Sequence, residues 1–133
     1  MEARAQPVGG RWTTLDRIVS VGDGEAVGFR NVPNTLAIFD SHFPRFHVLP
    51  GVLILGSMGT LCAQLLEHET GERWRLVGAD RVAFRHFVQP GDELQLAVKL
   101  KDRSGDEAVL SGEASVDGKL VTRARKLRAS RVG

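Results

Sequence analysis

With 133 residues, 42% hydrophobic and 26% charged, the chain reads as one globular domain long enough to bury a core. A formal net charge of +2 is too small to argue for nucleic acid, and 6% aromatics without a tyrosine supply no base-stacking platform. The single cysteine, Cys62, cannot form an internal disulfide, which fits a reducing cytoplasm.

In chain order, residues 1–10 are polar and without period, and read as a flexible N-terminal arm. The sequence MEARAQPVGGRW has no apolar segment of the signal-peptide kind. Residues 11–133 form the single domain. Residues 16–21 (DRIVSV) read as a strand, Gly22-Asp23-Gly24 as a turn, and residues 25–32 as the returning strand of a hairpin. Residues 35–49 are loop and carry Asp40, His42 and His47.

Pro50-Gly51 then opens the most apolar run of the chain. Apolar residues at 52, 53, 54, 55, 58, 61, 62, 65 and 66 predict a helix from 50 to about 68, apolar nearly all round in its first turns. Gly71 is placed to end it. Gly56, Ser57, Gly59 and Thr60 interrupt the run, and it is too short to span a bilayer, so a membrane role is not expected.

The remainder is β-rich. Residues 74–87 give one long strand or two, 89–92 a turn, 93–100 an alternating strand, 102–106 a loop and 107–116 a strand. Asp117-Gly118 is a two-residue hairpin signal. Residues 119–129 return, with Leu120, Thr122, Ala124 and Lys126 expected on one face and Val121, Arg123, Arg125 and Leu127 on the other. This order predicts an α+β domain in which one long central helix is wrapped by a curved antiparallel sheet.

His42-Phe43-Pro44, followed after three residues by VLPGVLIL, resembles the signature of the hot-dog-fold β-hydroxyacyl-acyl-carrier-protein dehydratases of fatty-acid and polyketide biosynthesis. The resemblance extends through residues 16–18 (DRI), 78–85 (GADRVAFR), 88–94 (VQPGDEL) and 116–121 (VDGKLV). It implies a dimer with a continuous sheet and an acyl chain held on the phosphopantetheine of an acyl carrier protein, with no cofactor of the enzyme's own. It further implies that His42 takes the proton beside the thioester. Backbone N–H groups at Gly51 and Val52 would hold the thioester oxygen, and an acidic residue in the second helical turn would help the hydroxyl leave as water.

Histidine suits its implied task because it titrates near neutrality; otherwise His42 is a loop histidine bonded to backbone. The helix start offers unpaired amides and the positive end of a dipole, whatever its side chains.

The acidic position is Gly56, which carries neither charge nor a proton to give. A glycine there also costs about 1 kcal/mol relative to alanine. Arg45, His47 and Thr60 depart from the family pattern nearby. His47 and Asp40 are the candidate substitute acids, or are ordinary loop residues. Asp40, His42 and His47 match no strong metal-ligand spacing, so no metal is expected. Arg81 and Arg85 are the candidate docking residues for an acidic carrier protein, or show charge to water.

A lone histidine without its acid fits a heterodimer with a homologous hot-dog subunit that supplies the carboxylate; a homodimer would be weak. The competing readings are a non-catalytic acyl-binding or structural subunit and a hot-dog thioesterase.

Overall fold

The computed structural model describes residues 4–5, 15–32, 51–89 and 91–133. Strand β1 (Arg4–Ala5) is followed by β2 (Arg17–Gly22), β3 (Glu25–Asn31), the helix α1 (Gly51–Thr70), β4 (Trp74–Phe84), β5 (Glu93–Ser104), β6 (Glu107–Val116) and β7 (Lys119–Arg131). The strands form one antiparallel sheet in the order β1-β2-β3-β5-β6-β7-β4. Within the stretch read as an arm, Arg4 and Ala5 pair with Ile18 and Arg17.

Helix α1 buries Leu53, Ile54, Ser57, Met58, Leu61, Cys62, Leu65 and Leu66. Their spacing of three and four residues makes a single stripe along the helix. Leu94, Leu96, Val98, Leu110, Ala114, Ala124 and Leu127 complete the same core from the sheet. Each large apolar side chain sealed in this way contributes roughly 1.5–3 kcal/mol of transfer free energy.

The helix ends as its sequence requires. Gly71 has φ +76°, and its N–H donates to the Glu67 carbonyl at 2.8 Å, an arrangement in which glycine meets no steric penalty. Thr70 fastens this end. Its hydroxyl donates to the Leu66 carbonyl (2.7 Å) and accepts from the Glu72 N–H (3.1 Å) and the Trp74 indole (2.9 Å).

A flat sheet cannot wrap a helix, and this one bends at β-bulges. The ladder shifts between Ile18 and Ser20, between Leu76 and Gly78, and between Leu100 and Asp102. Along β6 and β7 it shifts twice.

These shifts correct two sequence expectations. In β7, Ala124 pairs with Gly112 while Leu127 pairs with Leu110, so β7 carries an extra residue between them. Burial therefore changes parity: Thr122 and Ala124 face inward, then Leu127 and Ala129, while Arg125 and Lys126 are both exposed. The expected grouping of Lys126 with Thr122 and Ala124 is wrong for that reason. The expected loop at 102–106 is likewise mostly strand, because Asp102, Arg103 and Ser104 pair with Val109, Ala108 and Glu107. That part of the hairpin extends past the core, so its side chains are polar and alternation is lost.

The helix approaches the sheet closely at Gly112, where a Cβ would lie 3.0 Å from both Met58 Sδ and Leu127 Cδ1 and 3.5 Å from Val98 Cγ1. Gly112→Val is expected to destabilise the fold by roughly 1–3 kcal/mol through overpacking, read as a lower urea midpoint with an unchanged slope.

Burial also pushes the Cys62 thiol up to about 12, from an ordinary 9.0. The raised value means that this group favours folding fully below pH 9 and progressively less as pH rises toward 12. Compared with Cys62→Ala, the native chain is expected to lose up to about 1.4 kcal/mol per pH unit across that window, measured by urea unfolding at stepped alkaline pH.

Candidate active site

The site is built around the start of α1. Gly51 is its first residue, and Val52 follows in helical conformation. The ring of Phe84, at the end of β4, lies directly on Gly51. A Cβ at Gly51 would stand only 2.5 Å from Phe84 Cε1 and 2.8 Å from Cζ. Glycine here permits an aromatic ring to rest against the helix backbone. Phe84 is nonetheless half exposed, at 52%.

The chain leaving β4 is held by the Arg85 N–H, which donates to the Val121 carbonyl at 2.8 Å. Phe84, Arg85, His86 and Phe87 line a hollow of about 330 Å³, and Phe87 is 80% exposed. A lip of aromatic and basic side chains therefore stands beside the helix start. Sequence reasoning missed Phe84; the signal available was a glycine that opens an otherwise apolar helix.

One turn further on, Gly56 lies in a groove of about 510 Å³ between α1 and β4. Leu55, Gly56, Gly59, Thr60, Ala63, Trp74, Arg75 and Leu76 line it. None of these is an acid. Thr60 Oγ1 donates back to the Gly56 carbonyl at 3.1 Å, which turns this hydroxyl toward its own helix.

Ser57 points the other way. It is fully buried and accepts a hydrogen bond from Arg30 Nη1 at 3.0 Å. Arg30, 3% exposed, comes from the end of β3 and ties it to the second turn of the helix. Burial lowers the pKa of this guanidinium, and nearby Asp16 acts in the opposite direction.

Beside Phe84 across the ladder is Thr122 of β7. Its Oγ1 is buried and has no hydrogen-bond partner among the described residues.

His42, His47 and Asp40 lie outside the described residues. The two arginines singled out from the sequence are both exposed and face different places. Arg85 belongs to the lip at the helix start. Arg81, at φ +56°, lines a separate hollow of about 590 Å³ with Asp80, Lys101, Val109, Arg125 and Lys126. Asp80 there is paired with Arg128 at 3.0 Å. Among the described residues no cluster of three or more His, Cys, Asp or Glu side chains could hold a metal ion, and no helix is long and apolar enough to cross a membrane.

Comparison with known proteins agrees with this architecture. The chain is 38% identical over 109 residues to the 3-hydroxyacyl-[acyl-carrier-protein] dehydratase FabZ of Streptococcus mutans, covering 80% of this chain and 78% of that protein. It is 36% identical over 112 residues to the FabZ of Lactococcus lactis subsp. cremoris, covering 82% and 78%. Among solved structures, the ApeI:P dehydratase heterocomplex of Xenorhabdus doucetiae superposes with a TM-score of 0.77 at 16% identity, covering 96% of this chain and 88% of that one. An uncharacterized protein of Pyrococcus horikoshii superposes with a TM-score of 0.74 at 16% identity, covering 99% and 93%. These two establish the hot-dog fold. Residues 20–121 match the ApeI-like family, described as ApeI dehydratase, and by the extent of this match and the identity to its relatives the chain belongs to that family of hot-dog dehydratases.

Proposed function

We propose that this chain, a 3-hydroxyacyl-acyl-carrier-protein dehydratase and hence a hydro-lyase, supplies the base His42 to a shared site whose acid comes from a partner protomer. The observation that carries this reading is Gly56, in a groove lined by no carboxylate among the described residues. The existence of a dehydratase heterocomplex among its structural neighbours supports the assembly. The open edge of β4, paired only with β7 among the described strands, suits a dimer whose sheet continues across both protomers.

The chemistry divides as follows. His42 accepts the proton from the carbon beside the thioester. The developing charge on the thioester oxygen is met by amides of Gly51 and Val52, at the positive end of the helix. As the carbon–carbon double bond forms, the C3–O bond breaks and hydroxide leaves, taking a proton from the acid to become water. Without that acid the last step lacks help worth roughly 10²–10⁴-fold. His47 and Asp40 are the candidates to replace it within this chain. The same lack of a carboxylate favours, as a second reading, a non-catalytic acyl-binding subunit. The acyl carrier protein docks at the lip, where Arg85 adjoins Phe84, and Arg81, in its own hollow, is the second candidate contact.

Dehydration of a 3-hydroxyacyl-carrier protein, assayed with this chain alone and mixed with a homologous acid-bearing subunit, tests the reading. The chain alone is expected to be slower by roughly 10²–10⁴-fold, and His42→Ala to abolish activity in either assembly. Gly56→Glu is expected to raise the activity of the homodimer. Ordinary family rates from the native homodimer would remove the need for a partner acid, and activity surviving His42→Ala in every assembly would refute the assignment. Activity in no assembly selects the acyl-binding reading.

Neutralising Arg85 is expected to weaken carrier-protein binding by roughly two- to fivefold at low salt and less at high salt. Titration calorimetry at two ionic strengths measures this; an unchanged affinity takes Arg85 out of the docking surface.

A further inference from the structure

Thr122 is fully buried, and its hydroxyl oxygen has no hydrogen-bond partner among the described residues. A hydroxyl sealed from water without a partner is costly, and native proteins keep few of them. Valine has the same shape and would fill the same space without an orphaned polar atom.

Register places this hydroxyl on the concave side of the sheet. Ala124, two residues on, is paired with Gly112, which faces Met58 of the helix. Residues two apart share a face, so Thr122 faces the helix as well. Its partner in β4 is Phe84, the ring that lies on Gly51. Side chains paired across an antiparallel ladder sit roughly 4.5–5.5 Å apart at Cβ. On its other side it pairs with Ala114, too small and apolar to satisfy it. Thr122 is therefore an unpaired hydroxyl one strand spacing from the ring that covers the helix start.

We infer that Thr122 is a substrate-positioning residue whose hydroxyl hydrogen-bonds the 3-hydroxyl group of the acyl thioester once the Phe84 ring turns aside. This rests on the dehydratase reading above. The thioester oxygen is allotted to the amides of Gly51 and Val52, and the 3-hydroxyl lies two carbons along the chain. A threonine hydroxyl both donates and accepts, so it matches a ligand hydroxyl in either direction. It does not protonate the leaving group; it holds the C3–O bond in place. A site whose buried hydroxyl is satisfied only by a hydroxylated ligand also rejects the saturated analogue that lacks the group.

The test compares the full-length wild type, Thr122→Val and Thr122→Ser. Binding of (3R)-hydroxybutyryl-pantetheine and of butyryl-pantetheine is measured by calorimetry, and unfolding by urea. Thr122→Val is expected to be at least as stable as wild type, since it removes the orphan. It is expected to bind the hydroxylated thioester roughly three- to tenfold more weakly and the saturated one unchanged. Thr122→Ser is expected to retain the preference for the hydroxylated ligand. Loss of stability in Thr122→Val would mean that the hydroxyl has an internal partner and would overturn the inference. Wild-type preference for the hydroxylated ligand that Thr122→Val preserves, or equal weakening of both ligands, would overturn it while leaving the dehydratase reading intact. Wild type that neither binds nor dehydrates the hydroxylated thioester, alone or with its partner, would remove both.

Discussion

The structure depends on one steric requirement: a twenty-residue helix must lie along a sheet so closely that a Cβ at Gly112 of β6 would stand 3.0 Å from Met58 Sδ. A side chain there would press on Met58, Leu127 and Val98, and glycine leaves that space to them. A regular sheet would meet the helix along a line and leave much of its stripe wet. The bulges in β2, β4, β5 and β7 bend the sheet and raise its twist, so that strands on both sides reach the helix. The core is thus a consequence of irregular pairing as much as of apolar content.

The site follows from the same geometry. Curvature brings the end of β4 to the beginning of α1, and the absence of a side chain at Gly51 lets Phe84 lie on the backbone. Arg30 fixes the second turn from the opposite side through Ser57. Between these two attachments lies Gly56, facing a groove of small and apolar groups. The helix has one face committed to its own sheet and another that borders this groove. That face adjoins β4, whose other edge is open among the described strands.

The central helix was legible because apolar spacing reports burial directly, and its end was legible because Gly71 needs a left-handed conformation. The hairpin at Asp117-Gly118 was legible for the same reason, with both residues at positive φ. The faces of β7 were not legible beyond Ala124: one inserted residue reverses parity, and nothing in RARKLRAS marks where the insertion falls. Strand continuation through Asp102, Arg103 and Ser104 escaped notice because backbone pairing outside a core leaves no hydrophobic signature. At the site, Gly56 could be read from its neighbours, since VLIL and Ser57-Met58 set the register. Phe84 and Thr122 could not, because their importance arises from pairing across the sheet and from what the hydroxyl lacks.

The two ends of the helix are fastened by different kinds of force. At the far end, the Thr70 hydroxyl joins three partners, and hydrogen bonds of that sort fix angle as well as distance. At the near end, the contact seen among the described residues is an aromatic ring resting on Gly51, and dispersion resists separation but barely resists sliding. Of these two attachments, the one near Trp74 holds an orientation and the one at Gly51 holds a separation. A small slide of the Phe84 ring across Gly51 would therefore cost less than an equal shift of Trp74 against Thr70.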